Sequence, residues 1–69
     1  MVGKKSASRI LKEARLKQGL TQIEVAEKAG IHANTYAKIE RGLNNPSPSS
    51  IKKLIRVLEL KPSDIESLL

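Results

Sequence analysis

The sequence contains no cysteine, no phenylalanine and no tryptophan, and Tyr36 is its single aromatic residue. Without cysteine, neither a disulfide framework nor a thiolate zinc site is available, so packing alone must hold the fold. With one aromatic, stacking of bases on aromatic platforms is excluded as a main binding mode. The apolar residues are almost all Leu, Ile, Val and Ala, a set that suits interlocking helices better than packed sheets. No apolar run approaches the length of a membrane span. The opening Met1-Val2-Gly3-Lys4-Lys5 is followed by Ser6-Ala7-Ser8-Arg9, where an export signal would need a long apolar stretch. The expectation is a cytoplasmic protein. Acidic residues are scarce too: seven Asp and Glu stand against 13 Lys and Arg, a net charge of +6. In so short a chain that density points to a polyanionic partner.

At 69 residues the chain is one domain near the lower size limit for a self-sufficient core. It must commit most of its apolar residues to one cluster, and a deep catalytic cavity is not expected. Residues 1–7 show no periodicity and carry two lysines, reading as a flexible basic arm or simply a frayed terminus. From Ser8 the pattern turns helical and continues as one folded unit over residues 8–69. Ile10, Leu11 and Ala14 share a face, Ser8 offers an N-cap, and Gly19 ends the first helix near Gln18.

Thr21-Gln22-Ile23-Glu24 has the form of a capping box. Ile23, Val25, Ala26 and Ala29 follow as an apolar stripe that stops at Gly30, so a short second helix runs about Gln22 to Ala29. A third is predicted from about Ala33 to Arg41, with Tyr36 and Ile39 inward and Gly42 beyond its end. The run from Leu43 to Pro48 is turn-forming, and Ser47 caps a fourth helix with Pro48 at its first position. In that helix Ile51, Leu54, Ile55 and Leu58 keep helical spacing and leave Lys52, Lys53 and Arg56 outward. Ser63-Asp64-Ile65-Glu66 resembles a second capping box, opening a short fifth helix. No strand or internal repeat is predicted.

The informative feature is the pair of short helices around Gly30. Ala26 is small enough to let them cross closely, Gly30 makes the bend, and Val25, Ile31, Tyr36 and Ile39 fix the angle of the second helix. Ala33, Asn34, Ala37, Lys38 and Arg41 are then left on its free face, flanked by His32. The major groove of B-DNA admits such a helix.

Leu20 to Ile31 together with Lys38-Ile39-Glu40-Arg41-Gly42 and Asn45-Pro46-Ser47 resembles the Cro/phage-repressor-type helix-turn-helix family, also called the xenobiotic-response-element family. The match covers roughly Ile10 to Leu69, and its motifs occur together in the right order. The resemblance implies an all-α, five-helix, lambda-repressor-like domain whose second and third helices form the helix-turn-helix. It implies a non-enzymatic regulator of transcription, repressor-like and nucleoid-associated, that binds double-stranded DNA without a cofactor. The alternative is an antitoxin or helical protein-interaction module with a toxin or other protein as partner.

Carried over by position, the resemblance implies that Gln22 bonds a phosphate and buttresses the recognition helix. Asn34 and Lys38 would read base edges, with Asn34 suited to adenine and Lys38 to guanine. Ala33 would offer only an apolar contact to a thymine methyl, and Thr35 belongs to the same DNA-binding set. His32 stands where Ser or Thr is usual, close enough to the groove to meet phosphate and to make binding pH-sensitive. Arg41, Asn44 and Asn45 match the segment that holds the DNA backbone. Arg15 and Glu40 are implied as an inward ion pair. Homodimerisation on a pseudo-palindromic operator is implied, with Ile65, Leu68 and Leu69 as candidates for the interface or, for Ile65 and Leu68, the domain's own core. Lys12, Lys17, Lys52, Lys53 and Arg56 read as solvated helix faces, Tyr36 as packing, and Glu24, Glu27, Asp64 and Glu66 as helix-start carboxylates. His32 has no ligating neighbours in the sequence, so no metal site is expected.

Overall fold

Each segment with apolar spacing becomes a helix in the computed structural model, which describes residues 6–68. The elements are α1 (Ala7–Gln18), α2 (Gln22–Ala29), α3 (Ala33–Glu40), α4 (Pro48–Leu58) and α5 (Pro62–Leu68). α1 starts earlier than its sequence pattern suggests. Ser6, not Ser8, is the N-cap: its hydroxyl accepts from the Arg9 amide at 3.3 Å, while the Ser8 hydroxyl pairs with that of Ser6 at 3.1 Å. Either serine satisfies a cap by type, and the one three residues before a free amide takes the role. Ser6 and Ala7 therefore belong to the helical unit, and residues 1–5 of the expected arm lie outside the described residues.

α4 begins at Ser47, which accepts from the Ser50 amide at 3.2 Å with Pro48 at the first position. α5 differs from its expected start. Ser63 lies inside the helix, Pro62 takes the first position where its fixed φ suits it, and Asp64 reaches back to the Lys61 amide at 3.4 Å.

α2 packs against both α3 and α4, α1 packs against the same two, and α5 closes over α1. The shared core is Leu11, Val25, Ala26, Ala29, Tyr36, Ile39, Leu54 and Leu58, with Ala14, Leu20, Ile31, Ala33, Val57 and Leu60 packed around it. Each of α1 to α4 thus contributes to this core, and the recognition element α3 is fixed by Tyr36 and Ile39, both essentially fully buried. Ile23 departs from its expected stripe and is 61% exposed. Successive helical residues turn by about 100°, so Val25, Ala26 and Ala29 centre their face on Gln22, leaving Ile23 more than a quarter-turn away.

Candidate nucleic-acid interface

α2 starts on a closed capping box: the Glu24 amide donates to the Thr21 hydroxyl at 3.0 Å and the Thr21 amide to the Glu24 carboxylate at 2.8 Å. Those bonds hold the Glu24 carboxyl below the usual carboxylate range, with the backbone donor of Thr21 the leading cause. α2 ends at Gly30, whose φ of +67° is left-handed, and the Ile31 amide donates to the Ala26 carbonyl at 2.9 Å. The space around Gly30 is open, so the backbone angle alone demands glycine. Only Ile31 and His32 separate the turn from α3. With Ala26 buried at the crossing, the result is two short helices set against each other around a tight turn.

α3 turns one face inward and presents another. Tyr36 and Ile39 are buried, and Ala33 and Glu40 are half-buried beside them. Asn34, Lys38 and Arg41 are exposed, and with the half-buried Ala37 they follow an i, i+3, i+4, i+7 row along the opposite side. Thr35 is exposed on the flank. His32 is the N-cap residue but makes no side-chain cap bond, so the first-turn amides of α3 are not capped by a side chain. After α3 the chain turns at Gly42, and the Leu43 amide donates to the Lys38 carbonyl at 2.9 Å. That bond anchors the start of the loop carrying Leu43, Asn44 and Asn45, all exposed.

A part-buried polar clamp ties the end of this helix to α1 and α2. Arg15 Nε donates to Glu40 Oε2 at 2.6 Å and Arg15 Nη2 to Glu40 Oε1 at 3.1 Å, a two-pronged contact between α1 and the end of α3. Arg15 Nη1 donates to the Leu20 carbonyl at 2.9 Å, and Gln22 Nε2 donates to Glu40 Oε1 at 3.0 Å. The Arg15 and Glu40 side chains are 12% and 3% exposed, so the pair is shielded from solvent. Burial on its own would raise the Glu40 carboxyl. The donors facing it, Arg15 first and then the Tyr36 hydroxyl and Gln22, outweigh burial and hold it below the usual range. The same pairing raises Arg15. The Tyr36 hydroxyl is buried and makes no hydrogen bond of close geometry, yet lies near enough to Glu40 for the two to affect each other's ionisation. Burial, with the Glu40 carboxylate adding to it, pushes the phenol far up.

Gln22 joins two parts of this interface. It stands at the first position of α2, and one N–H of its amide is taken by Glu40, the last residue of α3. The second amide N–H is a further donor. The resemblance implied that Gln22 buttresses the recognition helix without naming Glu40 as its partner. A helical wheel centred on Val25, Ala26 and Ala29 would have placed Gln22 inward. Ile65 and Leu68 of α5 are half-buried, with α5 against α1, and Leu69 lies outside the described residues. Among the described residues no three His, Cys, Asp or Glu side chains gather as a metal site, and no helix is long and apolar enough to cross a membrane.

Two capped short helices, crossing at Ala26 and turning at Gly30, with the second clamped from behind and open in front, define a helix-turn-helix domain. The chain belongs to the Helix-turn-helix family, whose model matches residues 11–65, and it is of the Cro/C1 type. Two relatives from Archaeoglobus fulgidus are 36% and 38% identical over 55 residues, which is 80% of this chain and 79% and 78% of theirs. Both bear the name of uncharacterised HTH-type transcriptional regulators.

Proposed function

We propose that this chain regulates transcription by binding double-stranded DNA sequence-specifically, with α3 in the major groove. The observation that carries the reading is the outward row Asn34, Ala37, Lys38 and Arg41 on a helix whose other side is fixed by Tyr36, Ile39 and the Arg15–Glu40–Gln22 clamp. A helix held this firmly presents base-reading groups in one register, which is what discrimination between sequences requires. Asn34 takes adenine, Lys38 takes guanine O6 and N7, and Ala33 meets a thymine methyl. Gln22 donates its second amide N–H to a phosphate, while His32, Thr35, Arg41, Asn44 and Asn45 hold the backbone on either side. None of these roles needs a cofactor, and binding rather than catalysis is the activity. The site of action is the cytoplasm, on the nucleoid.

Two copies act together on a pseudo-palindromic operator, with recognition helices about 34 Å apart. The remaining exposed surface of Ile65 and Leu68, with Leu69, forms the contact between copies. Selection from a random duplex library at physiological salt tests the reading. Enrichment of an inverted repeat supports it, and recovery of no motif overturns it.

A further inference from the structure

A groove lies between the end of α2 and the middle of α4, lined by Lys28, Lys52, Lys53, Arg56 and Val57. All four cations are exposed, and Val57 is half-buried on the core at the groove floor. α4 contains no acidic residue over Pro48–Leu58, so Lys52 and Arg56, one helical turn apart, repel each other without compensation on their own helix. Of the carboxylates around the groove, Glu24 lies one turn before Lys28 and is held by the Thr21 amide, and Glu59 stands just beyond the end of α4. Nothing in the core needs this arrangement, since Leu54 and Leu58 supply the packing of α4.

The position of the groove separates it from the DNA-reading face. None of the residues that line it belongs to α3, and the outer row Asn34, Ala37, Lys38 and Arg41 shares no residue with it. A duplex on the outer row of α3 can be read without any of the groove's residues. The groove also has an apolar floor between its charged rims, and the stems of Lys and Arg extend that floor. A phosphate backbone has no group to place on Val57. A segment of protein with carboxylates and one apolar side chain fills both features.

We infer that the α2–α4 groove is a docking site for an acidic amphipathic segment of another protein, open while α3 is on DNA. The carboxylates of that segment pair with Lys28 on one rim and with Lys52, Lys53 and Arg56 on the other, and its apolar residue sits over Val57. Such a site would let a DNA-bound copy hold a second protein.

The test is titration of a short helical peptide of aspartate, glutamate and leucine into the isotope-labelled chain, followed by amide NMR, alone and with saturating duplex. The expected result is shifts at Lys28, Lys52, Lys53, Arg56 and Val57 that persist with duplex bound. Lys53→Glu/Arg56→Glu should weaken the peptide at least tenfold and duplex affinity by a clearly smaller factor at equal salt, the part set by the lower net charge. Lys28→Glu on the opposite rim should do the same, and circular dichroism verifies that both variants remain folded. Displacement of the peptide by duplex, equal binding to the variants, or no binding overturns the inference. A matching loss of duplex affinity in the variants makes the groove a DNA surface, and self-association lost in the variants makes a second copy its occupant; either outcome also overturns it. Failure of the library selection alone would not touch this inference, because the peptide arm without duplex does not depend on base reading.

Discussion

Replacing Glu40 by Gln should destabilise this domain by about 3 kcal/mol, because it leaves the Arg15 guanidinium charged and buried without its counter-ion. The size follows from the geometry. A surface pair would contribute well under 1 kcal/mol, but these side chains are 12% and 3% exposed and joined by two hydrogen bonds, so solvent does not screen them. A chain of 69 residues has a total stability of about 3–10 kcal/mol, so this one change removes a large fraction. For a domain of this size it corresponds to a fall in Tm of roughly 12–24 °C.

The apolar double variant Arg15→Met/Glu40→Met separates the loss of a pair from the stranding of a charge. It removes both charges together, and buried pairs replaced by apolar residues of similar size are often close to neutral. Two groups then lose partners, the Leu20 carbonyl and the Gln22 amide, at about 1 kcal/mol each. The double variant should therefore be more stable than the sum of Arg15→Met and Glu40→Met by at least ~1.5 kcal/mol. Urea unfolding followed by circular dichroism, with the slope m held common, measures all four corners of the cycle. Single variants within about 0.5 kcal/mol of wild type, or effects that simply add, would refute the clamp as a buried electrostatic unit.

Other outcomes follow from single features. The native Glu40 carboxyl binds its proton less tightly than the unfolded one, so its contribution to stability is complete above the ordinary value of 4.5 and is lost as pH falls through the native value. Glu40→Gln should flatten that acid limb, and an unchanged slope between pH 5 and pH 3, roughly the range in which paired carboxylates are protonated, would count against it. Tyr36→Phe removes a buried hydroxyl without a close partner and should leave stability within about 1 kcal/mol of wild type; a loss of ~2 kcal/mol would reveal a hydrogen bond of consequence. Glu59 ends α4 at a φ of 52°, where the Leu60 amide donates to the Ile55 carbonyl at 3.1 Å. Glu59→Gly should add about 1 kcal/mol, seen as a higher urea midpoint at constant m, and a lower midpoint would contradict the strain. Asn34→Ala and Lys38→Ala should flatten the selected motif at single positions, while Gln22→Ala weakens all duplexes alike; a motif unchanged by both α3 variants would exclude them as readers.

Local chemistry made most of the fold legible. Thr21 and Glu24 fixed one helix start, Ser47 and Pro48 another, and Gly19, Gly30 and Gly42 marked three helix ends, each through a bond within a few residues. Ser8 was the expected cap of α1 and Ser6 takes the role, since a serine suits either position by type. The left-handed end of α4 at Glu59 was invisible, since no propensity predicts a glutamate there. The inward side of Gln22 was obscured by Ile23, whose hydrophobicity suggested burial although the period places it outside. The Arg15–Glu40 contact spans 25 positions and entered only through the family resemblance. The grouping of Lys28 with Lys52, Lys53 and Arg56 needed the packing of α2 on α4, which no local pattern contains.

The composition of the α3 surface bears on how such a domain can be specific. Ala37 contributes only a methyl group to the outer row and Ala33 is half-buried against the core, so under the proposed function Asn34 and Lys38 would be the strong readers, with Arg41 one turn further on. At about 1–3 kcal/mol for each good bidentate contact, one copy discriminates by roughly 2–6 kcal/mol, toward the lower end of the separation between specific and non-specific binding. A net charge of +6 acts in the opposite sense, because it strengthens attachment to every phosphate backbone equally. Under the proposed pairing of two copies, specificity would come from summing two such readings at fixed spacing and from the shape of the DNA between them. That requirement makes the rigidity of α3 functional. Two helices can sum their readings only if each holds its register, and the Arg15–Glu40–Gln22 clamp ties that register to the same buried contacts that stabilise the fold.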